Sequence, residues 1–196
     1  MDNPKVLRQG VWQAYSDVAQ TPHTEHPFAV GRQFAEGIGY PAAVLENLPA
    51  VTIEAFTGVS NVSLFADLPF GARVLDLGCG AGLDALLAGQ RVGPAGTVTG
   101  IDFSLGMLSR AHQGALEAKL GQVRFCQADA ELLPLDSQSI DVAMVNGIFN
   151  LNPARAAIFE ELARVVKRGG HVYAAELILR EPLPASDNPN PEDWFA

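Results

Sequence analysis

The sequence predicts an α/β fold built on an open parallel sheet, and three observations carry that prediction. From residue 72 onward, short apolar runs alternate with stretches whose apolar residues recur at helical spacing, the pattern of βαβ units. The first run passes into its helix through "GCGAG", a turn holding Gly78, Gly80 and Gly82. The fourth run, "SIDVAMVNG", is apolar through its middle, as a strand buried on both faces must be.

The elements follow in order. Residues 1 to about 70 are broken by prolines and glycines and show no strand pattern, so they read as a helical cap. Within them "VLRQGVWQAYSDVA" predicts a helix with Val6, Val11, Tyr15 and Val18 inward, and "PAAVLENLP" and "VTIEAFTGVSN" predict two short helical turns. "ARVLDLG" is the first strand. "LDALLAGQRVG" is a helix stopped at Gly93-Pro94, and "GTVTGID" is the second strand. "SLGMLSRAHQGALEAKLG" is a helix capped by Ser104, with Leu108, Ala111, Ala115 and Leu116 on one face and Gly121 as its stop. "VRFCQAD" and "SIDVAMVNG" are the third and fourth strands. "NPARAAIFEELARVVKRGG" is a helix capped by Asn152 with Pro153 at its first position. Its core face is Ile158, Leu162, Val165 and Val166, and it ends at Gly169 after Lys167 and Arg168. "HVYAAELIL" is the fifth strand. These patterns divide the chain into a cap or substrate lid (1–70), a sheet domain (71–180) and an irregular proline-rich tail (181–196).

Composition narrows the function classes. The 196 residues carry a net charge of -9 and no Lys/Arg cluster, which argues against nucleic acid or an anionic membrane and favours a small ligand with a positive centre. No stretch reads as a membrane span or a signal peptide, so the expected compartment is the cytoplasm. The two cysteines, Cys79 and Cys126, have no metal-like spacing, so no metal site is expected.

The candidate site lies where the strands end. In an open parallel sheet, ligands bind at the carboxyl ends of the strands near the point where strand order reverses. Gly78, Gly80 and Gly82 let the backbone approach a ligand there. Asp102 ends the second strand about twenty residues on, a spacing that suits ribose hydroxyls. Asp129 ends the third, where an acid accepts from an exocyclic amine, and Phe103 offers a face to a purine. Each acid alone also fits a solvated turn residue. Dinucleotide loops show G-x-G-x-x-G, whereas here the spacing is G-x-G-x-G and Asp76 precedes it. A carboxylate there would repel a pyrophosphate and attract an ammonium. A ligand with an adenosine end and an amino-acid end satisfies these requirements, and S-adenosylmethionine is such a ligand.

As a set, "VLDLGCGAG", "GIDFSLGML", "QADAELLPL" and "SIDVAMVNGIFNL" resemble the motifs of class I S-adenosylmethionine methyltransferases over about residues 70 to 178. The resemblance implies a Rossmann-like sheet in the order 3-2-1-4-5 under an N-terminal helical cap, with S-adenosylmethionine as co-substrate and a small molecule as methyl acceptor. It implies that Asp76, Gly78, Cys79 and Gly80 hold the methionine part and Asp102 the ribose. Phe103 and Met107 would flank the adenine, Asp129 and Ala130 would read its edge, and Asn146 would lie beside the sulfonium. On the acceptor side the candidates are Tyr15, Asn150 and Glu176. Each also reads as structural: a core tyrosine, a loop hydrogen-bonder and a solvated strand end. His23 and His26 read as surface residues. No catalytic base is assigned, because methyl transfer needs chiefly alignment and exclusion of water.

Within that superfamily, "VGPAGTVTGIDFSLGMLSRA", "NLNPARAAIFEELARVVKRGG" and "IGYPAAVLENLP" are similar to the arsenite methyltransferases. That family binds trivalent arsenic through cysteine thiolates, which suit a soft metalloid. Here Val59-Ser60-Asn61 stands where the family has Cys-Gly-Asn, and Asn146-Gly147 where it has Asn-Cys. Cys79 belongs to the glycine loop, and Cys126, in mid-strand, is expected to pack as a small hydrophobe. The alternatives are therefore a C- or O-methyltransferase of a quinone-type metabolite and a non-catalytic S-adenosylmethionine-binding protein. The superfamily's terminal hairpin has no counterpart after the fifth strand. Either the sequence is a piece of a longer protein or another element covers that edge, a surface that also offers self-association.

Overall fold

The computed structural model describes residues 4–178, so the predicted 181–196 tail lies outside the described residues. Five strands, β1 (Arg73–Leu77), β2 (Thr97–Asp102), β3 (Val123–Gln127), β4 (Ile140–Asn146) and β5 (Val166–Ala175), form one sheet in the order β3-β2-β1-β4-β5. All four pairings are parallel. The expected α/β class and strand order are what the structure has. Strand order reverses beside β1, between β2 and β4, and that reversal opens the crevice in which the site sits.

Alternation along β1 splits the core between the two faces. Val74 packs with α6 (Leu83–Val92) and α7 (Leu105–Glu117), while Leu75 and Leu77 pack with Ile158, Leu162 and Val165 of α8 (Arg155–Val165). The helices start as local chemistry demands. Ser104 caps α7, its hydroxyl accepting from the Met107 amide. Gly82 precedes α6 in the left-handed region at φ 88°, and a Cβ there would lie 2.9 Å from the Ala111 Cβ and 3.1 Å from the Phe125 ring. Gly82→Ala is therefore expected to lose about 1–2 kcal/mol to backbone strain and about 1–3 kcal/mol to overpacking, measurable by denaturant unfolding. A variant as stable as the parent would contradict this packing.

Four short helices precede the sheet after α1 (Pro4–Gln20): α2 (Arg32–Gly37), α3 (Ala42–Leu45), α4 (Ala50–Ile53) and α5 (Val62–Phe65). The α3 and α4 turns fall where predicted; α2 and α5 carry no sequence signal of their own. Buried Ala35, Tyr40, Leu45, Ile53, Phe56 and Val62 join the core on the α6–α7 face. Arg110 of α7 donates from Nε to the Ala19 carbonyl (2.6 Å) and from Nη1 to the Val51 carbonyl (3.1 Å), fixing the end of α1 and α4 to the sheet domain.

Several expectations need correction. Val6 and Leu116 are exposed, because the inward stripes run through Val11 and Val18 in α1 and through Met107, Leu108, Ala111, Gly114 and Ala115 in α7. Helix α7 ends at Glu117, before Gly121, and Lys119 takes the left-handed conformation at φ 56°. Helix α8 starts after Ala154, with no side-chain cap; the Asn152 carboxamide accepts from the Ala154 amide instead. It ends at Val165, and Val166 begins β5. Residues 167–170 form an irregularity in the β4–β5 register. There Lys167 Nζ reaches Asp141 Oδ1 (2.5 Å), and a Cβ on Gly170 would meet the Asp141 carbonyl at 2.7 Å. Cys126 is exposed, because on β3, a sheet edge, Val123 and Phe125 turn inward while Arg124 and Cys126 turn out.

Candidate active site

A cavity of about 490 Å³ opens at the carboxyl ends of β1, β2 and β4. The glycine loop forms its floor. The amides of Gly78 and Cys79 both donate to the Ile101 carbonyl (2.8 and 3.0 Å), binding the loop to the end of β2. Gly78 has φ 75°, and a Cβ there would lie 2.3 Å from Ile148 Cγ2, so only glycine fits. Asp102 is the loop's anchor: one carboxylate oxygen accepts from the Gly80 amide (2.9 Å) and the other from the Ser104 amide (2.8 Å). Each oxygen keeps further acceptor capacity toward the cavity.

Asp76 is 2 % exposed and lines the same cavity, and its Oδ2 has no hydrogen-bond partner. Burial pushes its carboxyl well above the ordinary range, and the nearby Asp84 and Asp102 push further. Burial also raises Asp102, against the pull of its backbone amides. Three buried carboxylates thus converge on one cavity. Arg8, the cation in its lining, is paired with Glu131. Such a site is complementary to a cationic ligand carrying hydrogen-bond donors.

Of the sequence-derived candidates, Asp76, Gly78, Cys79, Gly80, Asp102, Phe103, Asp129, Ala130, Asn146 and Tyr15 line this cavity. Met107 is fully buried with Val18, Ala19, Ala55 and Ala81, outside the lining. Asn150 and Glu176 also lie outside it: the Glu176 carboxylate accepts from the Phe149 and Asn150 amides and holds the turn after β4. Tyr15 stands edge-on to Phe103 (6.3 Å) and packs on Phe28 (5.2 Å). Burial raises its phenol, with Asp102 and Glu176 adding to the effect, so the group stays a neutral donor. His23 is exposed beside Glu54, and His26 contacts the Thr21 carbonyl. Cys79 is buried, and burial, then Asp102 and Asp76, raise its thiol, so it remains protonated.

The methyltransferase-domain family profile matches residues 70–194. The chain belongs to the class I S-adenosylmethionine-dependent methyltransferases. Within this family it is 32% identical to the arsenite methyltransferase of Halobacterium salinarum over 158 residues, which are 81% of this chain and 40% of that protein. It is 35% identical to the demethylmenaquinone methyltransferase of Lactococcus lactis over 106 residues, 54% of this chain and 42% of that protein. The chain thus spans about two-fifths of the length of these curated relatives. Its fold is similar to the crystal structure of an arsenic(III) S-adenosylmethionine methyltransferase from Chlamydomonas reinhardtii, with a TM-score of 0.67 and 33% identity over 74% of this chain and 52% of that one. Among the described residues of this methyltransferase domain, no helix is long and apolar enough to cross a membrane, and no cluster of His, Cys, Asp and Glu has the arrangement of a metal site.

The residues of this chain fit the co-substrate the family implies. The unpartnered Asp76 oxygen calls for an ammonium, and the spare capacity of Asp102 calls for hydroxyl donors. A pH dependence follows. The raised pKa of Asp76 means that its neutral form is favoured in the empty cavity, and a bound cation draws off that proton. For the empty protein, this group's contribution to stability is complete below the unfolded carboxyl value and is lost as pH rises through the raised pKa. A cationic ligand compensates there. Affinity for S-adenosylmethionine is therefore expected to fall as pH is lowered through the raised Asp76 pKa. It should also fall above about pH 8, where an α-amino group loses its charge. Calorimetry across that range checks this, and an affinity that rises steadily toward acid would contradict it.

Sequence patterns do not mark Asp84, which lines the cavity, or Tyr40, which holds it. Asp84, in the first turn of α6, is 5 % exposed and accepts from the Tyr40 hydroxyl (2.6 Å) and from Asn146 Nδ2 (2.8 Å). A buried acid following the glycine loop was the available signal. Tyr40 had none, since its partner lies 44 positions away.

Proposed function

We propose that this chain binds S-adenosylmethionine and transfers its methyl group to a small, uncharged acceptor. The observation that carries the reading is the convergence of buried Asp76 and Asp102 on a cavity beside the glycine loop, with an Asp76 oxygen left unpartnered. Bound there, the co-substrate supplies a methyl carbon activated by an adjacent sulfonium. Asp76 would hold the ammonium, Asp102 the ribose, and Phe103, Asp129 and Ala130 the adenine. Tyr15 would present a neutral hydroxyl donor from the lid, and the chain's task is to align the acceptor and exclude water.

The acceptor side of the cavity is apolar, with Phe56, Ile148 and Leu151 in its lining. That lining and the likeness to a demethylmenaquinone methyltransferase favour a planar organic acceptor of quinone type as a second reading. On this account residues 1–70 act as cap and substrate lid and 71–180 as the cofactor-binding domain. The protein is cytoplasmic, uses no metal and does not engage nucleic acid. A turnover assay following S-adenosylhomocysteine release over a panel of quinones, phenols and arsenite tests the reading. Release with an uncharged organic acceptor supports it. Tight cofactor binding with no release on any acceptor would replace it with a non-catalytic binding role.

A further inference from the structure

Asn146 ends β4 in the cavity lining, where the family resemblance would set it beside the sulfonium. Its carboxamide is already fully used. Oδ1 accepts from the Val59 amide (2.9 Å) and the Ser60 amide (3.1 Å), while Nδ2 donates to the Ser60 carbonyl (2.7 Å) and to Asp84 Oδ2 (2.8 Å). A primary amide has two donor hydrogens and two acceptor lone pairs, and all four are engaged within the protein. Asp84 is held in turn: its Oδ1 accepts from the Tyr40 hydroxyl (2.6 Å) and from the Ser63 amide (3.3 Å). The Tyr40 hydroxyl also lies 3.2 Å from the Ser60 carbonyl, and its ring packs edge-on against Phe56, 5.3 Å away.

These groups come from five separate places: α6, the end of β4, the turn before α3, the segment before α5, and α5 itself. What they jointly fix is the backbone of residues 58–60. The fit is close. A Cβ on Gly58 would lie 2.5 Å from Asn146 Nδ2, and one on Gly147 would lie 2.9 Å from Val59 Cγ1. Gly58 and Gly147 both face the cavity.

We infer that Asn146, Asp84 and Tyr40 form a clamp that fixes segment 58–60, which reaches the cavity through Gly58, and that Asn146 acts through this segment rather than on the sulfonium. These are positioning residues. The clamp sets Val59 against Gly147, and of the two only Gly147 lines the cavity.

The test is Asn146→Ala in the full chain, with two readouts. Hydrogen exchange needs no ligand: the Val59 and Ser60 amides are expected to exchange at least about tenfold faster, since they lose their acceptor. The second readout is the ratio of affinities for S-adenosylmethionine and S-adenosylhomocysteine, which differ in the sulfonium charge. A residue that only positions this segment leaves that ratio within about twofold, whatever happens to each affinity; direct contact with the sulfonium shifts it. Should Asn146→Ala fail to fold, Tyr40→Phe keeps the ring packing and the Asn146 acceptor but frees Asp84 and the Ser60 carbonyl; the same two amides are then expected to exchange faster by about threefold or more, with the affinity ratio again within about twofold. Unchanged protection at 59 and 60, or a ratio shifted about fivefold or more, would overturn the inference. The second readout alone rests on the proposed cofactor, so a chain that bound neither ligand would refute that proposal while the exchange data still decided the clamp.

Discussion

Asp102→Ala is expected to weaken S-adenosylmethionine binding by roughly 1.5–3 kcal/mol, the range for a hydrogen bond to a charged group, or about tenfold to a hundredfold in dissociation constant. The carboxylate does two things at once. It accepts from the Gly80 and Ser104 amides, which shapes the glycine loop and the start of α7, and it keeps acceptor capacity directed at the cavity. Alanine removes both. It also removes a buried charge that the empty protein holds at a disadvantage, so the unliganded variant loses less stability than two broken hydrogen bonds would suggest. Binding should suffer more than folding. Calorimetry set beside thermal unfolding separates the two, and an unchanged dissociation constant would remove Asp102 from the site.

The second large effect concerns arsenite. The parent chain should bind it poorly, because its two cysteines do not form a chelating pair: Cys79 is buried with a raised thiol pKa, and Cys126 is exposed on an edge strand. The structure nonetheless sets positions 59 and 147 side by side. Val59→Cys combined with Gly147→Cys would place two thiols there. A side chain at 147 must tolerate φ 83°, a strain of about 1–2 kcal/mol. Under reducing conditions the double variant is expected to bind arsenite about a hundredfold more tightly than either single variant, since the second thiol then closes an intramolecular chelate. A folded double variant with no gain would contradict the placement of position 59 against position 147. Rapid arsenite methylation by the parent chain would contradict the requirement for thiols.

Much of this architecture is legible in the sequence because its signals are local. A parallel sheet writes each strand as an apolar run ending in a turn, and Ser104 and Gly93 mark helix ends by backbone chemistry alone. Where the sequence reading failed, the deciding information was tertiary. Helices α2 and α5 are single short turns held by packing onto Tyr40, Phe56 and the sheet domain. Leu116 was placed inward by apolar character, but a residue next to Ala115 on a helix lies about 100° round the axis, and that direction faces water. The end of α8 was set by the β4–β5 register, which no local pattern encodes. The site divides in the same way. Residues at strand ends could be read as motifs. The Asp84–Tyr40–Asn146 clamp joins positions 44 to 106 residues apart and becomes visible only once the chain is folded.

On the proposed function, buried carboxylates build this cavity for a cationic adenosyl amino acid. Isothermal titration of the full chain with S-adenosylmethionine, repeated in buffers of different ionisation enthalpy below the raised Asp76 pKa, tests it most directly. The expected result is one-to-one binding accompanied by release of a proton, as the ligand ammonium forces Asp76 to ionise, with that release abolished in Asp76→Asn. Absence of binding, or binding whose heat does not depend on the buffer and survives Asp76→Asn at full affinity, would contradict the account.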